Sequence, residues 1–364
     1  MRTFALEPFL VAGLLAAGAA VSAGWTPAPA RAFPAAAAED RSAAAVESAG
    51  FTVSDLDKSV AFYSEVLGFR LLEEPTEIVG PELDRLRGVF GSRVRIARLA
   101  LGEERIELTE YLVPRGKPFP DGSRGNDRWF QHFAIVVSDL DAAYAHLRAH
   151  RVEHASTGPQ RLPAWNRNAG GIGAFYFRDP DGHFLELIQF PEGKGDPRWR
   201  RKAASAMPTD PKSLFLGIDH TAITASNTDA SRAFYGNLLG LRLAGESENY
   251  GTEQEHLNHV FGARLRISGL RGAAGFGVEL LEYLTPTDGR SLGDGPAPND
   301  LAFGEITFSV PNLDAAERGL LASRARLVSP GIVTVPAGAA GSRRALLARD
   351  PDGHGVHLIE RALH

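Results

Sequence analysis

The sequence places carboxylates and imidazoles inside short apolar runs, where an unpaired charge is costly. Phe184-Leu185-Glu186-Leu187-Ile188 sets a carboxylate among large apolar side chains, and Ile106-Glu107-Leu108 and Val278-Glu279-Leu280 do the same. Val356-His357-Leu358-Ile359 sets an imidazole there. Each such group calls for a polar partner or a metal ion. His132, His220 and Glu305 stand where further apolar strands begin, and Ser48 holds the remaining matched place. Glu279 follows His220 by 59 residues, and Glu107 follows Ser48 by the same 59. The first half of the chain thus offers Ser48, Glu107, His132 and Glu186, and the second offers His220, Glu279, Glu305 and His357. A lone strand His is ordinarily a satisfied core residue, and a lone strand Glu ordinarily faces solvent. Seven His or Glu residues at eight repeat-equivalent positions point instead to metal binding in at least one half. The chain has no cysteine, which excludes thiolate ligands, iron–sulfur clusters, disulfides and thiol catalysis. Imidazole and carboxylate sets suit a divalent metal ion: Fe, Mn, Co, Ni or Zn.

These residues sit on a duplicated framework. Ser54-Asp55-Leu56-Asp57 through Phe62-Tyr63 returns 172 residues later as Ser226-Asn227-Thr228-Asp229 through Phe234-Tyr235, and both continue to Leu-Gly. Val89-Phe90-Gly91 returns as Val260-Phe261-Gly262, and Asp179-Pro180-Asp181-Gly182-His183 as Asp350-Pro351-Asp352-Gly353-His354. A finer repeat, at Ser138-Asp139-Leu140-Asp141 and Pro311-Asn312-Leu313-Asp314, divides each half again and gives four modules. Each module opens with an apolar strand, followed by an Asp or Asn suited to cap a helix. In the first module Leu56, Val60, Tyr63 and Leu67 have helical spacing, and Gly68 suits a left-handed stop. Strand–helix–strand–strand–strand, four times over, is an α+β pattern with mixed sheets. His183 and His354, just after Asp-Gly turns, are expected at exposed hairpins.

The expected organisation is a signal peptide over residues 1–32, a disordered Ala-rich tether over 33–45, a first domain over 46–190, a linker over 191–214 and a second domain over 215–361. Phe9 to Val21 is a thirteen-residue apolar run, short of the roughly 20 residues needed to cross a bilayer, and small-residue cleavage patterns follow it. Export to the periplasm or exterior is expected, with an uncleaved N-terminal anchor as the rival. Trp199 is a candidate for docking the linker on a domain. A net charge of -5 without a basic block argues against a nucleic-acid partner. The expected partner is a small-molecule substrate, with the chain a monomer or homodimer.

The motifs Phe62-Tyr63 with Leu67-Gly68-Phe69, Gln131-His132-Phe133-Ala134 and Asp179-Pro180-Asp181-Gly182-His183 leading to Glu186 resemble the vicinal oxygen chelate superfamily of glyoxalase I, bleomycin-resistance proteins, fosfomycin-resistance transferases and extradiol dioxygenases. The resemblance spans residues 46–361. It implies two tandem domains, each of paired βαβββ modules forming a curled mixed sheet around a cleft. It implies metal ligands at Glu107, His132 and Glu186 in the first half, with Ser48 at a usual His or Gln place, and at His220, Glu279, Glu305 and His357 in the second. Glu107, Glu186 and Glu279 become candidates for moving a proton on carbon beside a carbonyl. A glyoxalase-like lyase or isomerase acting on neighbouring oxygens ranks first. An extradiol dioxygenase ranks below it, because residues 168–176 lack further His. A non-catalytic binding protein, with Trp129, Phe130, Trp165, Phe175 and Tyr176 around the cleft, is the remaining class.

Overall fold

The computed structural model describes residues 43–205, 211–335 and 343–361. The expected leader and most of the expected tether lie outside the described residues. The tether's last residues do not: Ala44 and Ala45 are buried, and Ala45 begins the first strand. The Ala44 amide donates to Leu239 O at 2.8 Å, so this segment is bound to the second half. Among the described residues no helix is long and apolar enough to cross a membrane.

Four βαβββ modules cover residues 45–113, 131–189, 215–285 and 304–360. One short polar side chain starts the main helix in each. Asp55 accepts from Lys58 N, Asp139 from Ala142 N, Asn227 from Ala230 N and Asn312 from Ala315 N, all at 2.9–3.0 Å. Such a cap is worth about 1 kcal/mol. Gly68 has φ +74°, and Gly240 caps its helix at φ +72°. Both turns require the left-handed conformation that glycine adopts without a Cβ penalty.

Within every module the opening and closing strands lie side by side in parallel. Ala45–Val53 pairs with Glu104–Val113, Gln131–Val137 with Phe184–Gln189, Phe215–Thr224 with Gly277–Thr285, and Gly304–Val310 with Gly355–Glu360. Modules then join through antiparallel pairing of their opening strands. The second module joins the third (Gln131–Val137 with Phe215–Thr224), and the first joins the fourth (Ala45–Val53 with Gly304–Val310). The chain therefore builds two curled mixed sheets, one from its inner two modules and one from its outer two. Each sheet takes one module from each half, so side chains expected to converge within a half are separated.

The two sheets share one apolar core. Phe51 of the outer-module sheet stacks on Phe133 of the inner-module sheet at 4.4 Å and on His183 at 4.3 Å. His183 and His354 are buried, not exposed. The His183 ring meets Asp179 Oδ2 at 2.8 Å and Leu301 O at 2.7 Å, and His354 meets Thr224 O at 2.9 Å. His183 thus bonds the segment leading into the fourth module and His354 bonds the third module, which is why the repeated Asp-Pro-Asp-Gly-His motif is structural.

Burial alone would lower the His183 pKa, but the charge and hydrogen bond of Asp179 raise it above the ordinary 6.5. A raised folded-state value means that the stabilisation is complete below about pH 6.5 and is lost as pH rises through that value. The Tm difference between the wild type and His183→Gln should therefore hold below about pH 6.5 and shrink above it. A difference that grows over that range would contradict the pairing.

Candidate metal centre

Strand register explains how one sheet gathers its polar side chains. In the inner-module sheet Ala134 stands between Glu186 and His220, and Ala222 stands between His132 and Glu279. Cross-strand partners share a face, so four polar side chains surround two alanines that are both fully buried. A larger residue at Ala134 or Ala222 would fill the space into which they converge.

Among the described residues one set of His and carboxylate groups brings its ligand atoms within 4.8 Å of one another: His132, Glu186 and His220. His132 Nε2 lies 3.0 Å from Glu186 Oε2, and His220 Nε2 lies 3.6 Å from it. Glu279 Oε2 approaches His220 Nε2 at 3.4 Å from the open side. Neither nitrogen of His132 nor Nε2 of His220 has a hydrogen bond, although all are buried. Buried polar atoms are ordinarily satisfied. Three imidazole nitrogens lacking hydrogen bonds, two of them facing a carboxylate, are the arrangement expected of a divalent metal's ligands. Burial pushes the Glu186 carboxyl up, but the facing imidazoles of His132 and His220 outweigh it and hold it at about 2. Burial raises the Glu279 carboxyl, with Glu186 adding to the rise against the pull of His220.

His220 is oriented from behind. Its Nδ1 donates to Asp219 Oδ2 at 3.1 Å, which turns Nε2 toward Glu186 and Glu279. Asp219 is fixed in turn by Arg271, which reaches Oδ2 at 3.0 Å and the backbone carbonyl at 2.9 Å, and by Trp199 Nε1, which donates to Oδ1 at 3.0 Å. Trp199 belongs to the expected linker, which contains a helix, Pro197–Ala204. Its ring packs in a cluster with Ala134, Val136, Ile188 and Leu216, beneath the Arg198 guanidinium at 4.0 Å. Gly217, with φ +152°, leaves room for the ring, which a Cβ would meet at 2.8 Å.

The outer-module sheet brings together Ser48, Glu107, Glu305 and His357, in the rows Glu305–Gly50–Glu107 and His357–Thr307–Ser48. Of the expected metal ligands there, Glu107 and Glu305 have a different cation, and His357 Nδ1 lies 3.4 Å from Thr307 Oγ1. Buried Arg87 reaches Glu305 Oε2 at 2.6 Å and Glu107 Oε1 at 3.6 Å, and Arg98 Nε donates to Glu107 Oε2 at 3.0 Å. Burial and the positive charge of Arg87 push the His357 imidazole down to about 3. Glu107 is therefore committed to arginines and stands in the other cup from Glu186 and Glu279. Arg87 went unread in the sequence. Its repeat counterpart is Asn258, in Leu257-Asn258-His259-Val260 against Leu86-Arg87-Gly88-Val89, and that change of charge was the available signal. Asp219, next to His220, was also missed. Of the aromatic residues considered for a cleft, Tyr176 lines the inner-module cavity, Phe130 and Phe175 are core, and exposed Trp165 stacks on Tyr250.

A sequence model of the glyoxalase/bleomycin resistance protein/dioxygenase superfamily matches residues 45–187 and 217–358. The chain belongs to this superfamily. It is 35% identical over 155 residues to a 2-epi-5-epi-valiolone epimerase of Actinomyces sp., covering 42% of this chain and 82% of that one. It is 24% identical over 284 residues to a lactoylglutathione lyase of Schizosaccharomyces pombe, covering 72% and 81%. The fold is that of glyoxalase I from Zea mays, with TM-score 0.52 at 20% identity over 87% of this chain and 92% of that one. The match confirms two tandem glyoxalase-type repeats with mixed α+β content and curled sheets.

Asp219→Asn should weaken divalent-metal binding by about 10–100-fold, the usual cost of losing a carboxylate behind a ligating imidazole. Trp199→Phe, which removes one hydrogen bond to Asp219, should weaken it less. Competition with a chelating dye measures both. Unchanged affinity in Asp219→Asn would remove Asp219 from any role in orienting His220.

Proposed function

We propose that this superfamily member is a divalent-metal-dependent isomerase or lyase that moves a proton on a carbon beside a carbonyl in a small substrate with neighbouring oxygens. The convergence of His132, Glu186 and His220 without hydrogen bonds on their facing nitrogens carries the reading. These three residues would hold the metal ion, drawn from Fe, Mn, Co, Ni or Zn. When bound, a divalent ion at this place polarises a carbonyl oxygen and stabilises negative charge on it. Glu279 faces the cavity beside His220 and takes the part of the base, removing the proton next to the carbonyl and returning it to the same or a neighbouring carbon. Asp219 and Arg271 keep His220 in orientation while this happens. The names of the relatives, an epimerase and a lactoylglutathione lyase, support an isomerase or lyase reading.

Ring cleavage by an extradiol-type dioxygenase is the second reading, because two imidazoles and one carboxylate also suit non-haem iron. The cavity favours proton transfer. Among the described residues lining it, His220 is the sole imidazole, whereas Glu279 adds a carboxylate beyond the His132, Glu186 and His220 set.

The purified protein should bind one divalent transition metal ion per chain, and chelation should abolish turnover until metal is restored. Glu186→Ala and His132→Ala should lose the metal, while Glu305→Ala should keep it. Glu279→Gln should keep the metal and lose about 10²–10⁴-fold in kcat. Oxygen consumption with a catechol, in place of isomerisation, would select the dioxygenase. Ligand binding that persists in chelator without turnover would select a non-catalytic binding protein.

A further inference from the structure

The buried polar atoms left without hydrogen bonds differ in kind between the two sheets. In the inner-module sheet they include imidazole nitrogens facing the Glu186 carboxylate, which call for a cation. In the outer-module cup they are Arg87 Nη2, Tyr111 Oη and His357 Nε2. A guanidinium nitrogen can only donate. The His357 ring is kept neutral by burial and by the charge of Arg87. The Thr307 hydroxyl, 3.4 Å from His357 Nδ1, is placed to donate to it, which puts the ring proton on Nε2. What this cup lacks is therefore an acceptor, not a cation.

A cavity of about 130 Å³ opens in this cup, with Ser48, Thr307, His357 and Ile359 on its wall beside four charged side chains. That volume holds several waters or one small organic molecule. Of the charged residues, Arg98 and Glu107 bond each other, and Glu47 accepts from the Ser309 hydroxyl at 2.5 Å. Exposed Arg105 has no hydrogen bond or ion pair among the described residues. We propose that the outer-module cup is a second ligand site, independent of metal, that takes a short-chain monocarboxylate. A carboxylate accepts at roughly four lone-pair sites, which Arg105, Ser48 and His357 can share as donors, and Ile359 offers an apolar surface to the alkyl end. Occupation of this site needs neither the metal ion nor the proton transfer proposed for the other sheet.

The test is titration calorimetry of the full chain with butyrate and with butyramide, its neutral isostere, repeated in the presence of the uncharged chelator phenanthroline. The expected result is one butyrate per chain with a Kd of about 1 mM or tighter. Binding should be unchanged by the chelator and weakened by added salt. Butyramide should bind at least about tenfold more weakly, because a hydrogen bond to a charged group is the stronger kind. Arg105→Gln, a change at an exposed position, should weaken butyrate by a similar factor. Glu47→Gln takes a negative charge off the wall and should tighten it, and weaker binding in that variant would count against the charge argument. Equal affinity for butyrate and butyramide would overturn the ligand class. No butyrate binding, binding lost in the chelator, or binding untouched by Arg105→Gln would overturn the site.

Discussion

A buried carboxylate needs positive charge or several hydrogen-bond donors beside it, and that requirement shapes both sheets. The four modules place acidic and imidazole side chains at the same register positions, so each curled sheet carries the same demand on its inner face. The outer-module sheet meets it from within: Arg87, from the helix Pro81–Arg87, bridges Glu305 and Glu107. The inner-module sheet has Asn258 in place of that arginine, and Asn258 bonds Tyr283 instead of reaching the carboxylates. Its carboxylates face two imidazoles, and a divalent ion is the cation that the proposed function places between them. One repeated geometry thus gives one sheet closed by its own arginine and one whose His132, Glu186 and His220 converge without such a side chain.

Exchange of modules between the halves makes this centre a joint product of the whole chain. His132 and Glu186 come from before the segment 191–214, and His220 and Glu279 from after it. That segment also takes part in the site through Trp199, which donates to Asp219 on the following strand. Glu104 ties the arrangement to the other sheet, accepting from Arg198 at 2.8 Å and from Ile218 N at 3.2 Å. A change in the linker is therefore transmitted to His220 by two hydrogen bonds.

Much of this was legible in the sequence, because it follows from local rules. The capping residues Asp55, Asp139, Asn227 and Asn312 announce four helices, and the apolar neighbours of Glu186 and Glu279 mark buried strands. The partnership of modules was not legible. All four opening strands carry similar apolar patterns, and nothing local tells Gln131–Val137 to pair with Phe215–Thr224 and not with Ala45–Val53. Grouping by halves was the natural reading, and long-range pairing overrode it. His183 was misread for a related reason: its partner Leu301 is distant in sequence, so an Asp-Gly turn looked exposed. Arg87 was hidden because one charged residue near a helix end ordinarily faces water, and only comparison with Asn258 marks it as unusual.

The proposed function places a metal ion on the inner-module sheet, between side chains from both halves. An anomalous difference map from crystals grown with Mn or Zn tests it most directly. The expected result is one peak within ligand distance of His132 Nε2, Glu186 and His220 Nε2, with Arg87 still on Glu305 and Glu107. A peak beside Glu107, Glu305 and His357, or no peak between His132 and His220, would contradict the account.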